Sequence, residues 1–157
     1  MCIRDSYEGV WYLFTTSSRG LEIFFATDIS NGPYYPHPKN PITSDPRFSR
    51  SGGLPVIVNG RLFRIAQDCS ETYGGNLNIL RVFDLSTSSY REELAREGFF
   101  ECDQPWNSEG GHHLSVAHFR GETVVATDGK QNDYVANKLL SPVFRTIGWL
   151  VEKPGAA

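Results

Sequence analysis

Three clusters of side chains in this chain have the types and spacing to do chemistry. The first is Asp45-Pro46-Arg47 with Arg50, a carboxylate and two guanidiniums within six residues. Arginine forks hold carboxylates, phosphates or vicinal hydroxyls in planar fashion, although the same residues can serve as an ion pair bracing a long loop. The second is Gln67-Asp68-Cys69-Ser70-Glu71, at the end of the strand-like run Arg61–Ala66. Gln67 and Asp68 suit bidentate hydrogen bonds to sugar hydroxyls, and Tyr34, Tyr35, Tyr73 or Trp106 can supply a flat apolar face beneath a sugar ring. Asp68 and Ser70 equally suit Asx-type turn bonds to the backbone. The third is Gly110-Gly111-His112-His113. Histidine is the commonest transition-metal ligand, but neighbouring side chains on a strand point to opposite faces. Only one of the pair can face a given site, and His112 is assigned inward.

Other chemistries find little support. The chain has no G-x-S-x-G elbow, no phosphate-cradling glycine loop and no H-E-x-x-H helix. Asp45, Asp68, Glu71, Asp103, Glu109 and Asp128 are available to a glycoside hydrolase, but no spacing singles out the pair such an enzyme needs. The formal charge of −3 and the lack of a basic run argue against nucleic-acid binding. No apolar run approaches the roughly 20 residues that span a bilayer. Three cysteines, Cys2, Cys69 and Cys102, match neither a zinc knuckle nor a redox pair.

The elements that must position these groups read as short strands. Aromatics are 13% of the 157 residues, with 15 Gly and 9 Pro, a composition that favours strands and tight turns. Residues 11–27 read as a hairpin. Arg61–Ala66 and Leu77–Phe83 repeat its layout, and Leu114–Thr127 opens a third copy. The turn glycines Gly9, Gly60 and Gly121 lie 51 and 61 residues apart. Repeats near this length, each with several short strands, point to propeller blades, of which about two to three fit here. Residues 88–98 admit two readings, a capped helix of two turns starting at Ser89 with Glu92, or an outer strand completing the second blade; the outer strand is preferred. Met1 to Ser6 read as a non-native scar, residues 7–137 as the propeller fragment, and residues 138–157 as a partial blade or disordered tail.

Between the hairpins lies a polar stretch, Gly32-Pro33-Tyr34-Tyr35-Pro36-His37-Pro38-Lys39-Asn40-Pro41, followed by Asp45-Pro46-Arg47-Phe48-Ser49-Arg50 and Gln67-Asp68-Cys69-Ser70-Glu71-Thr72-Tyr73-Gly74. On these segments the chain, from about Tyr7 to Gly129, resembles the N-terminal domain of the glucosamine inositolphosphorylceramide transferases and their bacterial relatives. The resemblance implies a five-bladed β-propeller similar in architecture to glycoside hydrolase family 43, joined to a transferase-type domain in the full-length parent. It also implies that blades three to five are represented here, with two blades upstream. The Glu that the hydrolases carry near the start of the fourth blade would fall at Ser51-Gly52-Gly53-Leu54-Pro55, which holds no acid. Gly111-His112 resembles the Gly-His that opens the hydrolases' last blade beside a central ion or water, which makes His112 a candidate metal or water ligand.

The expectation is therefore an all-β fold, a partial five-bladed propeller truncated at its N-terminus. It would act as the carbohydrate-recognising module of a sugar-transferring or sugar-modifying enzyme. Asp45, Arg47, Arg50, Gln67, Asp68, Tyr73 and His112 would line an axial cavity and hold a carbohydrate or glycolipid headgroup. The Arg side chains would take its anionic or hydroxylated part, and Asp68 and Gln67 would orient its hydroxyls. No organic cofactor is called for, and a central divalent ion is the one candidate. The parent would place the module in the cytoplasm or at a membrane, and exposed blade edges would lower the solubility of the isolated chain. The rival is a glycoside hydrolase with Asp45 or Asp68 raised in pKa by burial, and a structural spacer is the third reading.

Overall fold

The computed structural model describes residues 2–131, and among them the chain is all-β, with a single 3-10 turn at Pro105–Asn107. Cys2–Tyr7 (β1), Val10–Ser17 (β2), Gly20–Ala26 (β3) and Tyr35–Pro36 (β4) form one antiparallel sheet in that order. A second sheet is built on Arg61–Asp68 (β7), Asn76–Leu85 (β8) and Tyr90–Arg96 (β9). The short strands Arg50–Ser51 (β5) and Val56–Val58 (β6) both pair with the free side of β7. Leu114–Phe119 (β10) and Glu122–Thr127 (β11) make a two-stranded third sheet.

The repeat seen in the sequence is a repeat of one turn. Each sheet contains a hairpin closed by two residues: Glu8-Gly9 between Tyr7 and Val10, Asn59-Gly60 between Val58 and Arg61, and Arg120-Gly121 between Phe119 and Glu122. Both residues of every turn have positive φ, 49° and 79°, 51° and 70°, and 52° and 79°. That is the type I′ geometry whose twist matches paired strands and which favours glycine at its second position. The 11–27 hairpin forms with Trp11 opposite Ala26. Of the two readings of residues 88–98 the strand is correct, because β9 pairs along β8, with irregular register between Ile79 and Leu80 and between Val82 and Asp84. Cys2–Tyr7, set aside on sequence, pairs with β2 from Cys2–Thr15 to Tyr7–Val10. Residues 132–157, and with them the partial blade or tail expected at 138–157, lie outside the described residues.

The three sheets pack face to face in series. Side chains alternate across a strand, so β7 and β8 offer one face through Leu62 and Val82 and the other through Ile65, Leu77 and Ile79. The first face joins Tyr12, Phe14, Leu21 and Ile23 of the first sheet, with Leu85 and Tyr90, in one buried cluster. The second joins Leu114 and Val125 of the third sheet, with Phe100. Each large apolar side chain so buried contributes about 1.5–3 kcal/mol. No closed barrel or ring forms among the described residues. The third sheet docks tightly, with the Leu114 N–H donating to the Gly52 carbonyl at 2.8 Å, and a Cβ at Gly53 would fall 2.0 Å from the Leu114 carbonyl oxygen. Ser51–Pro55 is therefore a close backbone approach that only glycines permit.

A buried ion pair lies between the first and second sheets. Arg64, 1% exposed, donates from Nε and Nη2 to the two Glu92 oxygens at 2.7 and 2.6 Å, and the Tyr90 hydroxyl donates to Glu92 Oε2 at 2.6 Å. Burial, then the neighbouring Glu92 charge, pushes the Tyr90 phenol above its usual range despite the opposing pull of Arg64. Breaking a buried pair leaves a bare charge, whereas replacing both partners by apolar groups is close to neutral. Glu92→Ala is expected to lower urea-unfolding stability by about 3–5 kcal/mol. The Arg64→Met/Glu92→Leu double variant should recover most of that loss in the same titration.

Candidate functional site

The His-Pro-Lys-Asn-Pro segment is an edge fastener. The Asn40 amide accepts the Ile23 N–H at 2.8 Å and donates to the Ile23 carbonyl at 2.7 Å, mimicking a strand partner along β3. Leu21 and Thr43 add a backbone bridge beyond it. His37 is 2% exposed; its Nδ1 accepts the Lys39 N–H at 3.2 Å, so Nε2 carries the proton and donates to the Ser86 carbonyl at 3.2 Å. These side chains tie the loop to both sheets, and packing accounts for them.

The expected site residues gather at one end of the second sheet, where β7 stops and β8 begins, and they divide into two groups. In the first, Arg47 grips Asp45 through Nε and Nη2, the latter at 2.6 Å, and the Asp45 carboxylate also accepts the Arg47 N–H at 2.9 Å. These bonds hold the half-exposed Asp45 carboxyl below the usual carboxylate range, the side-chain bond from Arg47 being the largest cause. The Cys69 N–H donates to the Pro46 carbonyl at 3.0 Å, buttoning this loop to the end of β7. Asp68 caps its own turn through the Ser70 N–H at 2.9 Å. Gln67 is fully buried and donates to the Ser51 carbonyl at 3.1 Å.

The second group lines an open cleft of about 390 Å³ walled by Tyr73, Gly74, His112, Asp128, Gly129, Lys130 and Gln131. The Arg50 guanidinium lies 4.9 Å from the centre of the Tyr73 ring, and the His112 ring meets Tyr73 edge to face at 5.4 Å. Asp128 orients the histidine. Its Oδ1 accepts the backbone N–H groups of His112 and His113 at 3.0 and 2.8 Å, and its Oδ2 pairs with His112 Nδ1. In neutral His112 that contact puts the ring proton on Nδ1 and leaves Nε2 as a hydrogen-bond acceptor. Lys130 closes the cleft by donating to Thr72 Oγ1 at 2.9 Å and the Tyr73 carbonyl at 3.2 Å. A Cβ on Gly74 would approach the His112 Cβ to 2.8 Å, so this meeting of the second and third sheets requires glycine there.

Among the described residues no three His, Cys, Asp or Glu side chains gather as metal ligands. His112 and Asp128 offer a pair, and one Asp128 oxygen is committed to two N–H groups, so these residues do not fit a resident divalent ion.

Three residues here escaped the sequence reading. Asp128 was one acid among six, yet it follows β11 much as Asp68 ends β7, and the repeat carried that signal. Lys130 had none. Asn78, fully buried, donates to the Arg47 carbonyl at 3.1 Å and accepts the Gly98 N–H at 3.0 Å, which holds the Asp45–Arg47 loop against β8.

Residues 6–130 match the family model described as glucosamine inositolphosphorylceramide transferase 1, N-terminal, and the chain belongs to that family. It is 31% identical over 141 residues to glucosamine inositolphosphorylceramide transferase 1 of Arabidopsis thaliana, covering 78% of this chain and 18% of that protein. It is 31% identical over 137 residues to the protein of that name from Oryza sativa subsp. japonica, with the same coverage. The chain thus spans under a fifth of the length of these curated relatives. No solved structure matches. No helix among the described residues is long and apolar enough to cross a membrane.

His37 makes the polar loop sensitive to pH. Burial, the largest cause, and the nearby Lys39 charge lower its pKa from the ordinary value, against the pull of the Ser86 carbonyl and Asp84. The unfolded chain therefore binds more protons through this residue, and its contribution is fully present above about pH 6.5. It is lost as pH falls toward and through the lower folded value. The urea midpoint is expected to drop between pH 7.5 and pH 5, and a His37→Gln variant should show a flatter profile over that window.

Proposed function

We propose that this chain is part of a carbohydrate-recognising β-propeller module of a sugar-transferring enzyme, and that its sugar site is the Tyr73–His112 cleft. The arrangement that carries this reading is the Tyr73 ring held between the Arg50 guanidinium and the Asp128-oriented His112. An aromatic surface with a fixed acceptor and hydroxyl-compatible donors beside it is what a pyranose ring requires. Tyr73 offers apolar area to the ring, His112 Nε2 accepts a hydroxyl proton, and Lys130 and Arg50 donate. Asp45, Arg47, Gln67 and Asp68 act behind them: their hydrogen bonds are made within the protein, and they hold the loop and strand end that carry Arg50 and Tyr73. The relatives' printed name, a transferase acting on inositolphosphorylceramide with glucosamine, supports a glycolipid headgroup as the natural ligand. Serial face-to-face packing of sheets that share one turn type supports the propeller.

The hydrolase alternative has less behind it. A general acid needs a raised carboxyl pKa, and Asp45 is shifted the other way by Arg47.

Titration of the isotope-labelled chain with a panel of mono- and disaccharides, read by amide chemical shifts, tests the assignment. Saturable shifts are expected at Tyr73, Gly74 and His112, with no turnover of aryl glycosides. Tyr73→Ala should weaken binding about tenfold or more, the equivalent of ~1.4 kcal/mol, while Asp45→Ala should change it by less than about twofold. Sugar-independent spectra, or shifts confined to another surface, would contradict the reading.

A further inference from the structure

The Tyr73–His112 cleft has a neighbour. Between the turn from Asp68 to Asn76, which joins β7 to β8, and the segment from Cys102 to Glu109 lies an open cleft of about 590 Å³, against about 390 Å³ for the first. Lys130 stands in the wall of both, and the adjacent Gly74 and Gly75 line one each. The Lys130 backbone is fixed, its N–H donating to the Gly110 carbonyl at 2.8 Å and its carbonyl accepting the Glu109 N–H at 3.0 Å. Its side chain crosses to Thr72 Oγ1 and the Tyr73 carbonyl, so the ammonium sits on the divide between the two clefts. Beyond Lys130 the chain passes into the wall of the first cleft with Gln131. The walls of the second come from the β7–β8 turn, the Cys102–Glu109 segment and Lys130 itself.

The clefts differ in chemistry. The first is built on the Tyr73 ring, with Arg50 and Lys130 beside it. No aromatic ring lines the second among the described residues; its wall offers the Ser70 and Ser108 hydroxyls and the Glu71 and Glu109 carboxylates. Asp68 lies there too, but its Oδ1 already accepts the Ser70 N–H and hydroxyl. Ionised carboxylates accept hydroxyl protons in short, charge-assisted bonds, and they repel a further anion. We propose that the sugar site has two subsites and takes a linked pair of sugar units. One ring lies on Tyr73, the linkage passes the Lys130 ammonium, and a second, neutral ring sits among Ser108, Glu71 and Glu109. The bonds to Thr72 and Tyr73 leave Lys130 one ammonium proton for the linkage oxygen. This rests on the sugar reading of the Tyr73 cleft and adds to it the length of the ligand and the charge of its second unit. Once the first ring is seated, the second meets its subsite at high effective concentration, so neither cleft has to bind tightly alone.

Amide-shift titrations of the full 157-residue chain test this with three sets of probes. They are the methyl glycosides of glucose, galactose and mannose; the neutral disaccharides cellobiose, lactose and mannobiose; and cellobiouronic acid, which carries a carboxylate on one unit. A neutral disaccharide is expected to bind about tenfold or more tighter than its methyl glycoside, and to add shifts at Ser70, Ser108 and Glu109 to those at Tyr73 and His112. Cellobiouronic acid should lose most of that gain. The Glu71→Ala/Glu109→Ala double variant, checked for native circular dichroism, should bring the disaccharide down to the affinity of the methyl glycoside. Glu109→Gln keeps an acceptor oxygen and removes the charge, so it should tighten cellobiouronic acid, a change that a merely structural role for Glu109 would not produce. Methyl glycosides that shift Tyr73 while disaccharides bind no tighter would overturn the second subsite and leave the first standing. A gain whose added shifts fall away from Ser108 and Glu109, or an acidic disaccharide that binds as well as the neutral one, would overturn it equally. Silence of every probe would overturn both readings.

Discussion

The second sheet is buried on both faces, and the positions of the other parts follow from that constraint. A one-residue slip turns every side chain of a strand to the opposite face, and here it would carry the residues of each core, Arg64 among them, into the other. Leu62 and Val82 must face the first sheet while Ile65, Leu77 and Ile79 face the third, so β7 and β8 have one workable register. Arg64 belongs to this constraint. It sits on the face that meets the first sheet, and its charge is tolerated there because Glu92 reaches it across β8, with Tyr90 completing the carboxylate's bonding. Such a pair adds little net stability over an apolar replacement. It does fix how β9 aligns with β7.

The candidate site is a by-product of the same packing. The loops that leave one end of the second sheet run onto the neighbouring sheets because those sheets are stacked against it. The Asp45–Arg47 loop is tied to Cys69 and Asn78, and the Tyr73 turn lies against His112 from the segment that enters the third sheet. Gly53 and Gly74 are small because the Leu114 carbonyl oxygen and the His112 Cβ approach them more closely than an added Cβ would allow. Residues far apart along the chain meet at the cleft without any one of them being long or flexible.

Much of the strand layout was legible in the sequence, and for a definite reason. The I′ turn needs positive φ at two positions, so it leaves glycine at Gly9, Gly60 and Gly121, and alternation on either side does the rest. His37 and Asn40 look like binding residues because binding and edge-fastening use the same donors and acceptors, and only the partner tells them apart. Arg64 and Glu92 were invisible as a pair, since strand pairing across β8 brings together residues whose spacing follows neither strand nor helix period. Asp128 could have been found by asking which residue of the third unit matches Asp68 of the second. The family resemblance drawn from the loop segments is met by the match over residues 6–130.

The claim on which the functional account turns is that the second and third sheets meet so that Tyr73 and His112 touch. Nuclear Overhauser contacts measured on the assigned chain in solution report this most directly. The account predicts cross-peaks between the Tyr73 ring protons and those of the His112 imidazole, and between the Gly74 α-protons and the His112 β-protons. An assigned spectrum lacking both, with His112 instead in contact with residues elsewhere on the chain, would contradict it.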